Sequence, residues 1–175
     1  MFPSHDRGGY VDDARRFVLF LKSTGRVFKT VSIKSYSAAF FIAQSLGERL
    51  FVEYSSLMTH KIRSGCIGDV DSINRCNKNL QSSTEKYNKV ISDRMGLDKE
   101  TYHKMIRVDK FFTGDNILKE NAADRKVIIK CSEDLINTTT TKKVMSPFAS
   151  IFGGGWIVTG KQLINSNHFM ICFFI

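Results

Sequence analysis

An apolar run of six residues, 38–43, comes directly after a strand-like segment and the turn that residues 35–37 form. The strand-like segment covers residues 27–33, whose valines and isoleucine lie on one side. A short segment that is apolar on every side is typical of an element buried on all its faces. The sequence therefore predicts a strand, a tight turn, and a buried helix that begins at this turn.

Helical and strand-like segments alternate through the first sixty residues. An amphipathic pattern over residues 10–22 predicts a first helix, with Asp12 and Asp13 in the turn where the helix dipole favours them. After the apolar run, short strands are predicted at 50–52 and 57–58, separated by residues 53–56. This alternation predicts an α/β fold whose strands pair in parallel.

The second half of the chain is predicted to be mainly helical. One long amphipathic helix is expected over residues 69–95 and ends at Gly96, and a second helix covers 98–107. Residues 111–115 have the composition of a turn that leads into a short helix, and 127–129 is predicted to be the last strand. Residues 132–175 show no consistent periodicity, so we expect one domain over 1–131 and an appendage over 132–175.

The long helix carries an apolar stripe that a domain of this size cannot bury completely. At about 1.5 Å per residue such a helix is roughly 40 Å long, which exceeds the expected diameter of the domain. Part of it should protrude, and the exposed part of the stripe then needs a partner. The stripe comprises Val70, Ile73, Leu80, Tyr87, Val90 and Ile91.

Composition excludes several classes of protein. The 175 residues carry a formal net charge of +9, but the basic residues are dispersed and no aromatic residues interleave with them, so a nucleic-acid binder is disfavoured. No apolar run approaches the length of a membrane-spanning helix, and residues 1–25 lack the pattern of a secretory signal, which predicts a cytoplasmic or organellar protein without membrane contact. The four cysteines lack CxxC spacing, so we expect free thiols and neither a metal nor another cofactor.

The chemically useful residues of the first sixty are a serine and a histidine. Ser35 lies at the predicted strand-to-helix turn, where unpaired helix N–H groups favour negative charge. His60 follows the predicted strand at 57–58, so it can lie beside the end of the preceding strand. An acidic residue that orients the imidazole would complete a catalytic triad.

The spacing of these residues resembles that of the Clp protease family, serine peptidases of the ClpP/crotonase superfamily. The separation from His60 to Asp109 also fits that family, as do Gly8-Gly9, which resembles its oxyanion-hole glycines, and Asn121-Ala122-Ala123-Asp124, which resembles a turn near the end of its fold. The resemblance covers about residues 4–131. Between the serine and the histidine it runs without a gap through Ser35, Ala38, Gly47, Arg49, Ser55, Met58 and His60.

The resemblance implies a set of roles. Ser35 would be the nucleophile, His60 its general base and Asp109 the group that orients the imidazole, while the backbone N–H groups of Gly9 and Tyr36 would bind the oxyanion. It further implies a core of repeated β-β-α units and a long protruding handle helix. Its partners would be other subunits of a heptameric or tetradecameric ring, a ring-shaped AAA+ unfoldase, and unfolded polypeptide as substrate.

Four departures from the family pattern leave alternatives open. Lys34 precedes the serine, Tyr36-Ser37 follows it, and Lys61 follows the histidine. Ser37 is a rival nucleophile, since residues 37–40 also resemble a related peptidase pattern. The family's N-terminal strands are expected to be missing, which indicates a fragment, an edge covered by 132–175, or a departure from the ring. The rival functions are an inactive structural subunit of a protease ring, a crotonase-type acyl-CoA enzyme and, more remotely, a nucleic-acid binder.

Overall fold

The computed structural model describes residues 10–128 and the backbone of 168–173. It confirms the α/β class, with helices packed on a largely parallel sheet. The elements in chain order are α1 (Val11–Ser23), β1 (Val27–Tyr36), α2 (Ala38–Ser45), β2 (Glu48–Thr59), α3 (Val70–Met95), α4 (Lys99–Met105), β3 (Lys110–Thr113), α5 (Asn116–Lys119), β4 (Arg125–Lys126) and β5 (His168–Phe173).

The strands form one sheet in the order β3-β2-β1-β5, and β4 also pairs with β2. The pairings β1–β2, β1–β5 and β2–β4 are parallel, whereas β2–β3 is antiparallel. In the β1–β2 pair Tyr36 lies opposite Met58, so the carboxyl ends of both strands meet at one edge of the sheet. That edge is where ligands bind in parallel α/β sheets.

Helix α2 forms the centre of the core, as its apolar sequence predicts. Every residue from Ala38 to Ser45 is buried. On one side Phe40 stacks on Phe112 of β3 with 5.7 Å between ring centroids, and on another Phe41 stacks on Tyr87 of α3 at 4.3 Å. The stacked rings join the sheet and the long helix to α2, so the start of α2 is fixed from several directions.

Helix α3 confirms the predicted long helix and divides it into two parts. The Asp69 side chain accepts a hydrogen bond from the Ser72 N–H at the start, and Gly96 ends the helix in the left-handed conformation. All its buried residues lie between Tyr87 and Met95. The apolar stripe is divided accordingly, because Tyr87 and Ile91 belong to the core while Val70 is exposed.

Strand β2 is one strand of twelve residues, not the two short strands expected. The polar segment between them stays in the sheet through an irregularity, where Tyr54 has a φ of 60° and the register with β1 shifts. The Ser55 side chain bridges this irregularity, because its hydroxyl donates to the Ser32 carbonyl and accepts from the Val52 N–H. A β-bulge lets such exposed polar residues interrupt the alternation without ending the strand.

The later elements differ from expectation in detail. The segment expected to be a turn contains strand β3, and the last predicted strand lies slightly earlier, at Arg125–Lys126. Within the segment expected to be an appendage, residues 168–173 form β5, which pairs with β1 as the fourth strand of the path. The boundary at residue 131 stays a prediction, since most of 132–175 lies outside the described residues.

Two of the four cysteines form a disulfide, so the expectation of four free thiols is wrong. Cys66, in the loop after β2, bonds to Cys76 in the second turn of α3, and their Cα atoms are 6.1 Å apart. The loop folds back on the helix that follows it, and this local approach has no signature in the cysteine spacing. Cys131 lies outside the described residues, and only the backbone of Cys172 is described.

A buried arginine connects β2 to the polypeptide that follows α5. The Arg49 guanidinium is almost fully buried and donates to both the carboxylate of Asp124 and the side chain of Gln44. It also reaches the carbonyl and side-chain oxygens of Asn121. Arg94 of α3 bonds to the second carboxylate oxygen of Asp124, so the carboxylate ties a strand to the long helix.

Candidate active site

Ser37 occupies a sharp turn between β1 and α2. Its backbone has a φ of 54° and a ψ of −115°, a conformation rare for residues other than glycine. The Ser37 N–H donates to the Met58 carbonyl at 2.9 Å, which holds the turn against the end of β2. A serine on a strained strand-to-helix turn is exposed at the edge of the sheet, which is the geometry of a nucleophile elbow.

His60 follows directly after β2 and meets this turn. Its Nε2 is 2.7 Å from the Ser37 Oγ, which is the distance of a strong hydrogen bond. The preceding residue, Thr59, is buried and bonds to the Tyr102 hydroxyl at 2.9 Å. Burial raises the pKa of Tyr102 to about 12, so this phenol stays neutral and anchors the strand end that carries His60.

Ser35 does not make the expected hydrogen bond to His60. It belongs to β1 and is fully buried, and its Oγ has no hydrogen-bond partner in the part of the chain that the structure describes. The reason is that β1 continues through Tyr36, so the turn comes two residues later than an ungapped match to the family implies. The sequence signal for this later turn was the run of small residues Ser37-Ala38-Ala39 at the start of the apolar segment.

Asp109 and His60 each lie one residue outside the paired ends of β3 and β2, but the Asp109 carboxylate has another partner. The antiparallel β2–β3 register pairs Thr59 with Lys110, the neighbours of His60 and Asp109 in the chain. The Asp109 carboxylate accepts a hydrogen bond from Arg63 at 3.0 Å. The Nδ1 of His60 is buried and has no partner among residues 10–128. The structure thus brings Ser37 and His60 together, while the side chain of Asp109 is bonded to Arg63.

The N–H groups at the start of α2 are potential hydrogen-bond donors that follow Ser37 directly in the chain. Ala38 and Ala39 occupy the first helical turn, where the i−4 carbonyl is absent, so these N–H groups have no partner within the helix. Tyr36 precedes the turn instead of following it, which makes Ala38 the residue placed to donate to an oxyanion at Ser37. Gly9, the other expected donor, lies outside the described residues.

Tyr87 of α3 contacts the backbone of the candidate nucleophile. Its hydroxyl donates to the Ser37 carbonyl at 3.0 Å, and its ring is buried against Phe41. Burial raises the pKa of this phenol well above its usual range, and Tyr102 contributes in the same direction. The sequence alone gave no signal for this contact, since Tyr87 fitted the apolar stripe of α3.

No group of three or more histidine, cysteine or acidic side chains is placed to hold a metal ion among residues 10–128. Within the same described part, no helix is both long and apolar enough to cross a membrane.

The family model of the Clp protease matches residues 13–129. The chain belongs to the Clp protease family. The match includes α1 through β4 and both Ser37 and His60, so the residues that meet at the sheet edge lie inside the family's domain. Membership confirms the resemblance drawn from the serine–histidine spacing, and it identifies the fold as ClpP-like and the chain as a protease-family protein.

A solved relative of this Clp protease family protein has the same fold. A crystal structure of a peptidase from Plasmodium falciparum superposes with a TM-score of 0.60 at 20% sequence identity, over 68% of this chain and 67% of that chain. At that identity the superposition supports the fold alone. The comparison with curated proteins gives no match.

The residues beside Ser37 that depart from the family pattern do not engage its hydroxyl. Lys34, two residues before the end of β1, is exposed, which directs its charge to solvent. Tyr36 is half-buried, and its hydroxyl donates to Ser56 of β2 at 3.0 Å while its ring meets Phe111 edge-on. The bulky side chains are therefore accommodated on the sheet and leave the Ser37 hydroxyl to His60.

Proposed function

We propose that this chain is a serine-type endopeptidase that cleaves unfolded polypeptides, with Ser37 as nucleophile and His60 as general base. The observation that carries the proposal is the 2.7 Å contact between Ser37 Oγ and His60 Nε2 at a strained strand-to-helix turn. A nucleophile within hydrogen-bond reach of a base is the geometric requirement for acyl transfer. Ser35, the residue that spacing favours, is buried in the strand and lacks such a base.

The reaction follows from these positions. Ser37 Oγ attacks the scissile carbonyl as His60 Nε2 takes its proton, and His60 then gives that proton to the leaving amine. The Ala38 N–H, with Gly9 as the proposed second donor, stabilises the oxyanion, and loss of one such donor costs roughly 10²–10³ in rate. Water, activated by the same histidine, hydrolyses the acyl-enzyme and restores the serine.

Asp109 is the proposed third member of the triad. Its position next to Lys110, which pairs with the residue before His60, supports the assignment. In the arrangement with Arg63 the site is a serine–histidine dyad. If the Asp109 carboxylate exchanged Arg63 for His60 Nδ1–H as its hydrogen-bond donor, it would fix the imidazole tautomer. It would also stabilise the imidazolium that forms during the reaction.

The proposed assembly is a homo- or hetero-oligomeric ring. Heptamers that stack into a tetradecamer through the protruding half of α3, the handle, are the arrangement that family membership suggests. A ring-shaped AAA+ unfoldase would supply unfolded chains to the closed chamber. The exposed Val70 and the partly exposed Ile73 and Leu80 support this role for the handle.

An inactive ring subunit is the second candidate. The observation that favours it is the buried His60 Nδ1 without a partner, together with the engagement of Asp109 by Arg63. A histidine whose tautomer is not fixed is a poor general base. Such a chain would fill a ring position beside active subunits.

A fluorophosphonate probe separates the two candidates. We expect covalent labelling of the wild-type chain, loss of labelling in Ser37→Ala, and retention in the matched control Ser35→Ala. The measurement is intact-protein mass spectrometry with mapping of the modified peptide. Labelling that is lost in Ser35→Ala and kept in Ser37→Ala would show that Ser35 is the nucleophile. Absence of labelling in an assembled ring would establish the inactive subunit.

A further inference from the structure

Every polar group of Ser37 has a hydrogen-bond partner, and the partners come from β2, the residue after it, α2 and α3. Its N–H is bonded to Met58 of β2, and its hydroxyl meets His60 after that strand. Its carbonyl accepts two hydrogen bonds, one from the Phe41 N–H in α2 at 3.0 Å and one from the Tyr87 hydroxyl in α3 at 3.0 Å. The first three of these contacts come from segments adjacent in sequence or in the sheet. Tyr87 lies fifty residues away, in the buried half of α3.

The backbone of Ser37 needs such support. A residue with a side chain at φ 54° and ψ −115° is strained, and strain of this kind persists only where the surroundings over-determine the conformation. The orientation of the peptide between Ser37 and Ala38 sets the direction of the serine Cα–Cβ bond and of the Ala38 N–H. A donor that fixes the Ser37 carbonyl therefore fixes both the nucleophile and the proposed oxyanion donor.

Tyr87 is well placed to be that donor because its own position is rigid. Its side chain is only 3% exposed, and its ring lies on Phe41 with an interplanar angle of 14°. Because the phenol is neutral at all ordinary pH values, it remains a hydrogen-bond donor. The stacked ring and the hydroxyl make separate contacts, so a phenylalanine keeps the first and removes the second.

We propose that Tyr87 is a positioning residue, whose hydroxyl bond to the Ser37 carbonyl aims the serine hydroxyl at His60. The proposal rests on the proposed function of Ser37 as nucleophile. Through this bond the buried half of α3 contacts the serine directly. The packing of α3 on α2 then sets the geometry of the site.

The test compares Tyr87→Phe with Ser45→Ala in the full-length chain. Ser45 also donates a buried hydroxyl to a backbone carbonyl of α2, that of Phe41, but at the far end of the helix. We expect Tyr87→Phe to lower kcat about three- to tenfold, the equivalent of one lost hydrogen bond, with KM for a fluorogenic peptide within twofold of wild type. Ser45→Ala should keep kcat while it loses thermal stability to a similar extent.

A second readout does not depend on turnover. In protein labelled with ¹⁵N-histidine, the His60 Nε2 resonance, assigned with His60→Gln, reports its contact with the Ser37 hydroxyl. We expect it to shift in Tyr87→Phe and to stay in place in Ser45→Ala. Equal losses of kcat in both variants, or a wild-type kcat and an unchanged resonance in Tyr87→Phe, would overturn the proposal. If wild type neither labels nor cleaves, the proposed function fails, and the resonance still decides whether Tyr87 positions Ser37.

Discussion

At the scale of single residues, the site depends on where a strand ends. Ser35 and Ser37 lie on either side of Tyr36, and only the second one leaves the strand into the turn. The difference places one hydroxyl in the core without a partner and the other 2.7 Å from His60. A displacement of two residues in the end of β1 thus separates an inert serine from a candidate nucleophile.

The Arg63–Asp109 ion pair is expected to limit the activity of the site. The two side chains are 62% and 43% exposed, and ion pairs of such exposure are worth about 0.2–1 kcal/mol. Arg63→Met should therefore raise the rate of fluorophosphonate labelling by up to about fivefold, because more Asp109 becomes available to His60. The rate is measured under pseudo-first-order conditions.

The double variant tests whether that gain passes through Asp109. Adding Asp109→Asn to Arg63→Met should remove the gain completely, and Arg63→Lys, which keeps the charge, should stay close to wild type. A labelling rate in Arg63→Met that is unchanged, or that persists without the aspartate carboxylate, would contradict the role of the ion pair.

The sequence predicts the residue types of the site better than their contacts. The family resemblance selected His60, whose imidazole meets a serine hydroxyl, and Asp109, whose carboxylate is bonded to Arg63. Three features depend on side-chain rotamers and on packing between distant segments, which no local pattern encodes. They are the turn at Ser37, the engagement of Asp109 by Arg63, and the Tyr87 hydroxyl bond.

At the scale of elements, the helices followed from periodicity and the strands did so only in part. Helices α1, α2 and α3 lie within one or two residues of their expected bounds because their apolar residues mark them locally, and in α3 the Asp69 cap and Gly96 mark the two ends. Strand β2 was divided wrongly since a bulge at Tyr54 interrupts its alternation. Strand β5 could not be placed, because its pairing with β1 joins segments more than 130 residues apart.

Asp124 is expected to be the main acid-sensitive link between these elements. Burial alone would raise its pKa, but the hydrogen bonds from Arg49 and the charges of Arg49 and Arg94 outweigh burial and lower the pKa. A carboxylate whose folded-state pKa is lowered contributes stability above its unfolded pKa of about 3.9, and that contribution is lost as pH falls through the folded value. Below about pH 4 the link between β2 and α3 should weaken.

Asp124→Asn tests this link. It leaves the buried Arg49 without its counter-charge, so we expect a loss of about 3 kcal/mol in the free energy of unfolding at pH 7, measured with urea. The further loss between pH 5 and pH 3 should be smaller than in wild type. The matched control is Asp93→Asn, which breaks the exposed pair with Lys89 and should cost under about 0.5 kcal/mol. Equal effects of the two variants would contradict the analysis.

At the scale of the whole molecule, the outer half of α3 is the surface proposed to join copies of the chain. Helix α3 has 26 residues, about 39 Å at 1.5 Å per residue, and is buried only from Tyr87 onward. The outer half begins beside the Cys66–Cys76 disulfide, which closes the loop after His60 onto the helix. The outer half therefore starts from a fixed base, and it carries the exposed Val70 and the half-buried Ile73 and Leu80.

Leu80→Asp tests whether that partner is another handle. A charge in an apolar contact between two handles is expensive to desolvate, so we expect the double ring to dissociate into single rings or smaller species while the protomer stays folded. Asn79→Asp is the matched control, because it adds the same charge one position along the helix, at an exposed polar residue. Tyr87→Asp is not suitable, since Tyr87 is buried and its loss would unfold the protomer. Light scattering after size exclusion gives the mass, and circular dichroism checks the fold. A Leu80→Asp protein of wild-type mass would show that the outer half of α3 does not join the rings.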